Sequence, residues 1–135
     1  MKNQGFKDLI VYKKAYAAAM LIYSKSKNFP KEELYSLTDQ IRRSSRSVCA
    51  NLAESYRKRI YPKHFVSKLS DADGECAETL VFLDFSRDCG YLDEVAHNTI
   101  TEEYYQVGRM LGSMMNAPEK FSGSSLPTAP ANLKT

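Results

Sequence analysis

The sequence predicts an all-α fold, an antiparallel up-and-down four-helix bundle, on three observations. Apolar residues recur at steps of three and four through four long stretches, the breaks between them are short and carry proline or glycine, and no run alternates apolar and polar residues as a half-buried strand does. Short connections make consecutive helices antiparallel neighbours. At 135 residues, 43% of them hydrophobic, the chain suits one domain with a sizeable core, expected over residues 1–117.

The first helix is expected over 8–27, with Asp8 as its N-cap and Phe6 packed nearby. Leu9, Tyr12, Tyr16, Ala19 and Tyr23 make one seam, and Val11, Ala15, Ala18 and Ile22 make a second beside it. Two seams exceed what one core stripe requires. Ala15, Ala18 and Ile22 are therefore expected either deep in the subunit or at an interface between copies, and the small size of the bundle favours the interface. Asn28-Phe29-Pro30 closes this helix, because a residue preceding proline disfavours the helical region.

The second helix, 36–59, opens on Ser36 with Asp39 three residues later, a weak capping box. Leu37, Ile41, Val48, Leu52 and Tyr56 form its stripe, with Ser44 or Ser45 filling the missing turn. At ~1.5 Å per residue it spans roughly 36 Å. Arg42, Arg43, Arg46, Arg57, Lys58 and Arg59 lie off the stripe, giving one element both a core seam and a cationic flank.

Pro62 suits the first position of a third helix over 62–89, striped by Phe65, Leu69, Ala72, Cys76, Leu80 and Leu83. Gly74 inside it costs about 1 kcal/mol relative to alanine unless a close helix approach compensates. Val81, Phe82 and Phe85 add apolar surface beyond the stripe, and Phe82 and Phe85 are expected to join the interface between copies. Gly90 is a left-handed stop, and Asp93 caps a fourth helix over 93–116 with Ala96, Ile100, Val107, Leu111 and Met114 inside; low helix propensity at Thr99 to Thr101 allows a later start. Residues 118–135, rich in Ser, Pro, Ala and Gly, are expected to form a disordered tail.

No apolar run approaches the ~20 residues needed to cross a bilayer, and no signal-peptide pattern is present, so a cytoplasmic protein without membrane partners is expected. Cys49, Cys76 and Cys89 are odd in number and lack CxxC spacing, which points to buried reduced thiols. The net charge is only +3, but it is unevenly placed. Residues 42–68 carry eight Lys/Arg against Glu54 alone, and residues 71–94 carry eight Asp/Glu against Arg87 alone. Such neighbours either steer one another into register or leave a cationic surface free for a polyanion.

QIRR at 40–43, followed by small residues and ANLAE at 50–54, resembles a bacterial four-helix-bundle family that includes proteins encoded in intervening sequences of 23S ribosomal RNA genes. FKDLIVYKKA at 6–15, FPKEELYSLT at 29–38, ETLVFLDFSRDCGYL at 78–92, and VGRML with NAPEKF between 107 and 121 extend the likeness over nearly the whole chain before the tail. Cys49 stands where that family usually has proline and Ser55 where it has glycine, so the helix kink such a proline produces is in question. The resemblance implies the bundle fold. Through members that assist the reverse transcriptase of diversity-generating retroelements, it also implies a homopentamer and a nucleoprotein partner.

Catalytic chemistry is thinly represented: there are two histidines and no GxSxG, HExxH or glycine-rich phosphate loop, so no enzyme and no cofactor is expected. Glu94-Val-Ala-His97 matches the Glu-x-x-His element of carboxylate di-metal bundles, but such a site needs two, and Tyr61 occupies the equivalent place before His64; no metal is expected. Glu54 and Glu78, on core-bearing helices, suit ion pairs that fix register.

The basic set Arg42, Arg43, Arg46, Arg57, Lys58, Arg59, Lys63 and Lys68, with Tyr56 and Tyr61 interleaved, suits contact with RNA or DNA, since cations meet phosphates and exposed tyrosines stack on bases. No helix-turn-helix, RNP or KH motif supports sequence-specific readout. The competing class is a purely structural interaction module. It requires these cations to be paired with Asp71, Asp73, Asp84 or Asp88.

Overall fold

Four helices form where the apolar spacing puts them: α1 Ile10–Ser26, α2 Leu37–Arg57, α3 Pro62–Asp88 and α4 Glu94–Asn116. The computed structural model describes residues 4–122, and among them there is no strand. Short 3₁₀ turns at Gly5–Asp8, Lys31–Glu33 and Pro118–Lys120 precede α1, lead into α2 and follow α4. α1 packs on α2 and α4, and α3 packs on the same two, so the helices run round the bundle in chain order, with α2 against α3 the most extensive seam.

The core follows the seams. Ile41, Val48 and Leu52 of α2 meet Phe65, Leu69, Ala72 and Leu83 of α3 and Ile100, Tyr104, Val107 and Leu111 of α4 in one buried cluster. Val11, Ala15, Ala18 and Ile22 of α1 close that cluster, each no more than 3% exposed. Ala15, Ala18 and Ile22 therefore belong to the subunit's own core, and their expected place at an interface between copies is corrected. Small side chains let α1 approach its neighbours, while the bulkier tyrosines of the other seam, with hydroxyls that need water or a partner, are left at the periphery. Tyr12 is half-buried, and Tyr16 and Met20 are about half exposed.

The ends of the helices differ from expectation in ways that have local causes. Leu9 is the N-cap of α1, without a side-chain cap bond, and the Asp8 carboxylate instead accepts from the Gln4 amide at 2.9 Å. Ser36 does occupy the N-cap of α2, yet the capping acceptor is Glu33, whose Oε1 receives the Ser36 hydroxyl at 2.6 Å and the Leu37 amide at 3.3 Å. Pro62 opens α3, Gly90 takes a φ of 80° after it, and Asp93 accepts the Ala96 amide at 2.8 Å, so α4 begins at Glu94 and not near Thr101. α2 runs unbroken through Cys49. An alanine methyl at Gly74 would meet nothing within 4 Å, so no close helix approach explains that glycine.

Residues 118–122, expected in the tail, carry a turn, and Phe121 lies against Phe65 with ring centroids 5.6 Å apart. The rest of the expected tail, 123–135, lies outside the described residues. Cys49 and Cys76 are buried as expected, whereas Cys89 is exposed, because α3 ends before it.

Two loops are tied across one end of the bundle. The Tyr91 hydroxyl donates to Glu33 Oε2 at 2.9 Å, and the Tyr91 ring packs near Phe29. Hydrogen bonds from Ser36 and then Tyr91 hold the Glu33 carboxyl below its usual range, and the same contact raises Tyr91 to about 12. A lowered carboxyl contributes stability that is complete above its unfolded value and is lost as pH falls through the folded one; a raised phenol contributes stability that is lost as pH rises from its ordinary value to about 12. Replacing Tyr91 by phenylalanine should therefore lower stability across the neutral plateau and so flatten its loss both below about pH 4.5 and above about pH 10, as followed by urea unfolding across pH. An unchanged pH profile would mean that the tie carries no free energy.

Candidate nucleic-acid interface

The cations expected to act together divide into three kinds. Arg57 and Lys58, at the end of α2, and Lys63, in the first turn of α3, are exposed and have no ion-pair partner among the described residues. Arg42, Arg46 and Arg59 are held on tyrosine rings. The Arg42 and Arg46 guanidinium carbons lie 4.8 and 5.8 Å from the centroid of the Tyr23 ring, with the Lys27 ammonium at 4.9 Å. Arg59 stacks 3.8 Å from the Tyr56 centroid.

Arg43 and Lys68 are the paired members. Arg43 stands 3.9 Å from Asp39 one turn earlier, an exposed contact worth little. Lys68 sits between Glu54 at 3.4 Å and Asp71 at 3.5 Å, bridging α2 and α3. Desolvation works against its charge, but those two carboxylates outweigh it and raise the ammonium. Glu54 thus makes an ion pair between α2 and α3, as expected, although an exposed one. Glu78 instead lines a shallow polar cleft with Arg43, Glu75 and the half-buried Phe82.

Of the four acidic partners that would have neutralised the flank, only Asp71 meets one of its cations. Asp84 accepts His97 Nε2 at 2.9 Å and lies 3.9 Å from Arg87, and Asp88 accepts Arg87 at 2.8 Å. The acidic helix therefore spends much of its charge on itself and on α4. Local pairing at spacings of one and three residues wins here because it orders fewer atoms than a reach across the bundle.

Arg42 and Arg59 are also fixed by hydrogen bonds. Arg42 Nε donates to the buried Ser26 hydroxyl at 2.8 Å, and the Arg59 guanidinium donates at 2.8 Å to the Tyr56 carbonyl, which also accepts the Arg59 amide at 3.2 Å. Desolvation pulls Arg59 below the usual arginine value, with Tyr56 opposing and Arg57 adding to the shift, yet an arginine remains cationic at neutral pH.

The tyrosines beneath these arginines form a path that the basic residues alone did not reveal. Tyr12 and Tyr16 lie with centroids 6.0 Å apart, and Phe6 meets Tyr12 edge-on at 5.1 Å. Between α1 and α2 a cleft of about 270 Å³ is lined by Tyr12, Tyr16, Met20, Tyr23, Arg46 and Cys49. The sequence did contain the signal. Tyr12, Tyr16 and Tyr23 share a helical face, and an antiparallel α2 must bring part of its flank alongside. Tyr61, by contrast, lies near His64 at the start of α3, 6.1 Å between centroids, apart from this path.

On α3, Val81 and Phe85 remain 51% and 56% exposed, so this helix has an apolar strip that the subunit leaves uncovered. Among the described residues no group of three or more His, Cys, Asp or Glu is arranged to hold a metal ion, and no helix is long and apolar enough to cross a membrane.

Fold and surface together define a small all-helical bundle whose distinctive chemistry is a cationic and aromatic face. More narrowly, residues 7–113 match the family described as 23S rRNA-intervening sequence protein, and the chain belongs to that family. A similar solved structure is a protein of unknown function from the S23 ribosomal protein family of Bacteroides thetaiotaomicron, 24% identical, with a TM-score of 0.72 over 79% of this chain and 96% of that one. That likeness concerns the fold. No curated protein matches the sequence.

Burial pushes the Cys49 thiol up to about 11 and the Cys76 thiol up to about 12. Since the thiolate is the reactive species, titration of the folded protein with a thiol reagent at about pH 8 should show one prompt equivalent, from Cys89, and two that appear only on unfolding. Prompt reaction of Cys49 would mean that the floor of the α1–α2 cleft opens.

Proposed function

We propose that this protein is a non-enzymatic, cytoplasmic bundle that self-associates and binds RNA or DNA, alone or within a nucleoprotein, through its basic face. The observation that carries this is the imbalance of pairing. Arg57, Lys58 and Lys63 stand without carboxylate partners, while Asp84 and Asp88 on the neighbouring acidic helix are already engaged by Arg87 and His97. Unpaired, solvated cations at a helix junction are the sequence-independent part of a phosphate-binding surface.

Self-association is assigned to α3. An apolar strip holding Val81 and Phe85 on an otherwise acidic helix suits burial against another copy, with Phe82 at its edge. Likeness to retroelement accessory proteins implies a homopentamer and a reverse transcriptase as partner. An oligomer would multiply weak phosphate contacts wherever a strand spans neighbouring subunits.

If about four phosphates are neutralised, affinity for single-stranded RNA should fall with a log–log salt slope near −3. The combined variant Arg57→Glu, Lys58→Glu, Lys63→Glu should bring that slope to about −1 or abolish binding, with helicity unchanged. Arg59 is left out because it also closes the end of α2. A flat salt response in the unaltered protein would instead support the purely structural module.

Separately, Val81→Asp with Phe85→Glu should lower the sedimenting mass of the protein toward that of one chain without unfolding it. A monomer at micromolar concentration before any substitution would overturn the assignment of α3.

A further inference from the structure

We infer that the cleft between α1 and α2 is a base-stacking groove for single-stranded nucleic acid, with Tyr16 as its most accessible platform. This rests on the polyanion-binding role proposed above and adds to it a reason to prefer unpaired bases.

Composition supports the assignment first. α1 contains no Asp or Glu, and the two carboxylates of α2 are engaged away from the cleft, Asp39 with Arg43 and Glu54 with Lys68. The groove is thus cationic and aromatic without an opposing acidic lining.

Geometry supports it next. Tyr12, Tyr16 and Tyr23 run along one side, and Arg42 and Arg46 approach Tyr23 from α2. Beyond the cleft, at the C-terminal end of α2, Arg59 covers Tyr56. From Arg46 to Arg57 the helix rises ~16 Å, so a strand laid along it meets the two groups of cations at separate phosphates. Tyr16 is 53% exposed and Met20 50%, which leaves an aromatic edge and a soft apolar surface open to an incoming base.

A second copy of the chain is the other occupant such a face can take. It is disfavoured because three cations, Lys27, Arg42 and Arg46, surround Tyr23. Burying them in a protein interface requires as many carboxylates to meet them. A phosphodiester strand brings one negative charge with every base.

The test compares a labelled deoxyadenosine strand of about 12 nucleotides with an abasic strand of the same length, by fluorescence anisotropy across salt concentrations. The base-bearing strand should bind the unaltered protein at least about tenfold more tightly. Tyr16→Ala should lose about tenfold for the base-bearing strand only, Tyr16→Phe should retain it, and neither should change the salt slope. Equal binding of the two strands, or no effect of Tyr16→Ala, overturns the stacking groove while leaving phosphate binding intact. Failure of both strands to bind at low salt overturns phosphate binding itself, and the groove with it. A fall in sedimenting mass for folded Tyr16→Ala would mean that the face is occupied by another copy, which also overturns the inference.

Discussion

The structure depends on how α2 packs its small polar side against α3. Ser44, Ser45 and Ser55 are buried in the bundle, in turns of α2 where an aliphatic residue would extend the apolar stripe. Each has its hydroxyl returned to the carbonyl three residues earlier, on Ile41, Arg42 and Leu52. Because these groups are satisfied within their own helix, they can enter the core without the desolvation cost of an unpaired donor. Across the seam, Thr79 Oγ1 lies 2.8 Å from both Ser44 Oγ and the Glu75 carbonyl. One hydroxyl proton can serve only one of these acceptors at a time. The contact nevertheless gives the two helices a polar registration point inside an apolar seam.

That seam determines where charge can go. With its small hydroxyls and aliphatic residues turned to the core, α2 has no place for its four long cations except its outer faces. Arg42 and Arg46 fall toward α1, Arg43 toward solvent, and Arg57 is exposed in the last turn, with Lys58 just past it. The opposite charges of residues 42–68 and 71–94 therefore do not cancel as adjacent blocks. Lys68 alone among the eight cations makes ion pairs across and along this boundary, and its position on α3 explains why.

Helix number, order and most of the stripes were legible because they rest on spacing, which survives any packing detail. What spacing cannot decide is which of two equal seams faces inward. In α1 both seams repeat at the same steps, and the choice falls to size and polarity: alanines permit close approach, and tyrosines keep their hydroxyls near water. Thr79, Ser86, Tyr104 and His97 are buried although none counts as an aliphatic core residue in a pattern of apolar positions. The hydroxyls of Thr79 and Ser86 are internally bonded, His97 meets Asp84, and Tyr104 is so enclosed that burial drives its phenol far above the ordinary value. Ser36 is legible as the N-cap of α2, but its capping acceptor is not, for a similar reason. Glu33 precedes the helix by four residues, and only the intervening turn brings its carboxylate back to the Leu37 amide.

The basic residues were legible as a set, but their division into free, stacked and paired members is a tertiary property. Stacking changes what an arginine can do. A guanidinium laid over a ring keeps most of its N–H edge available while losing much of its rotamer freedom in advance, so a later phosphate contact orders fewer torsions. Three cations around Tyr23 also repel one another, and each cation–π contact returns only about 0.5–1 kcal/mol at an exposed site. Water and salt hold such a cluster together in the free protein. An anion that enters it both relieves the repulsion and meets donors already in position, and this physical asymmetry distinguishes Arg42 and Arg46 from ordinary surface charge.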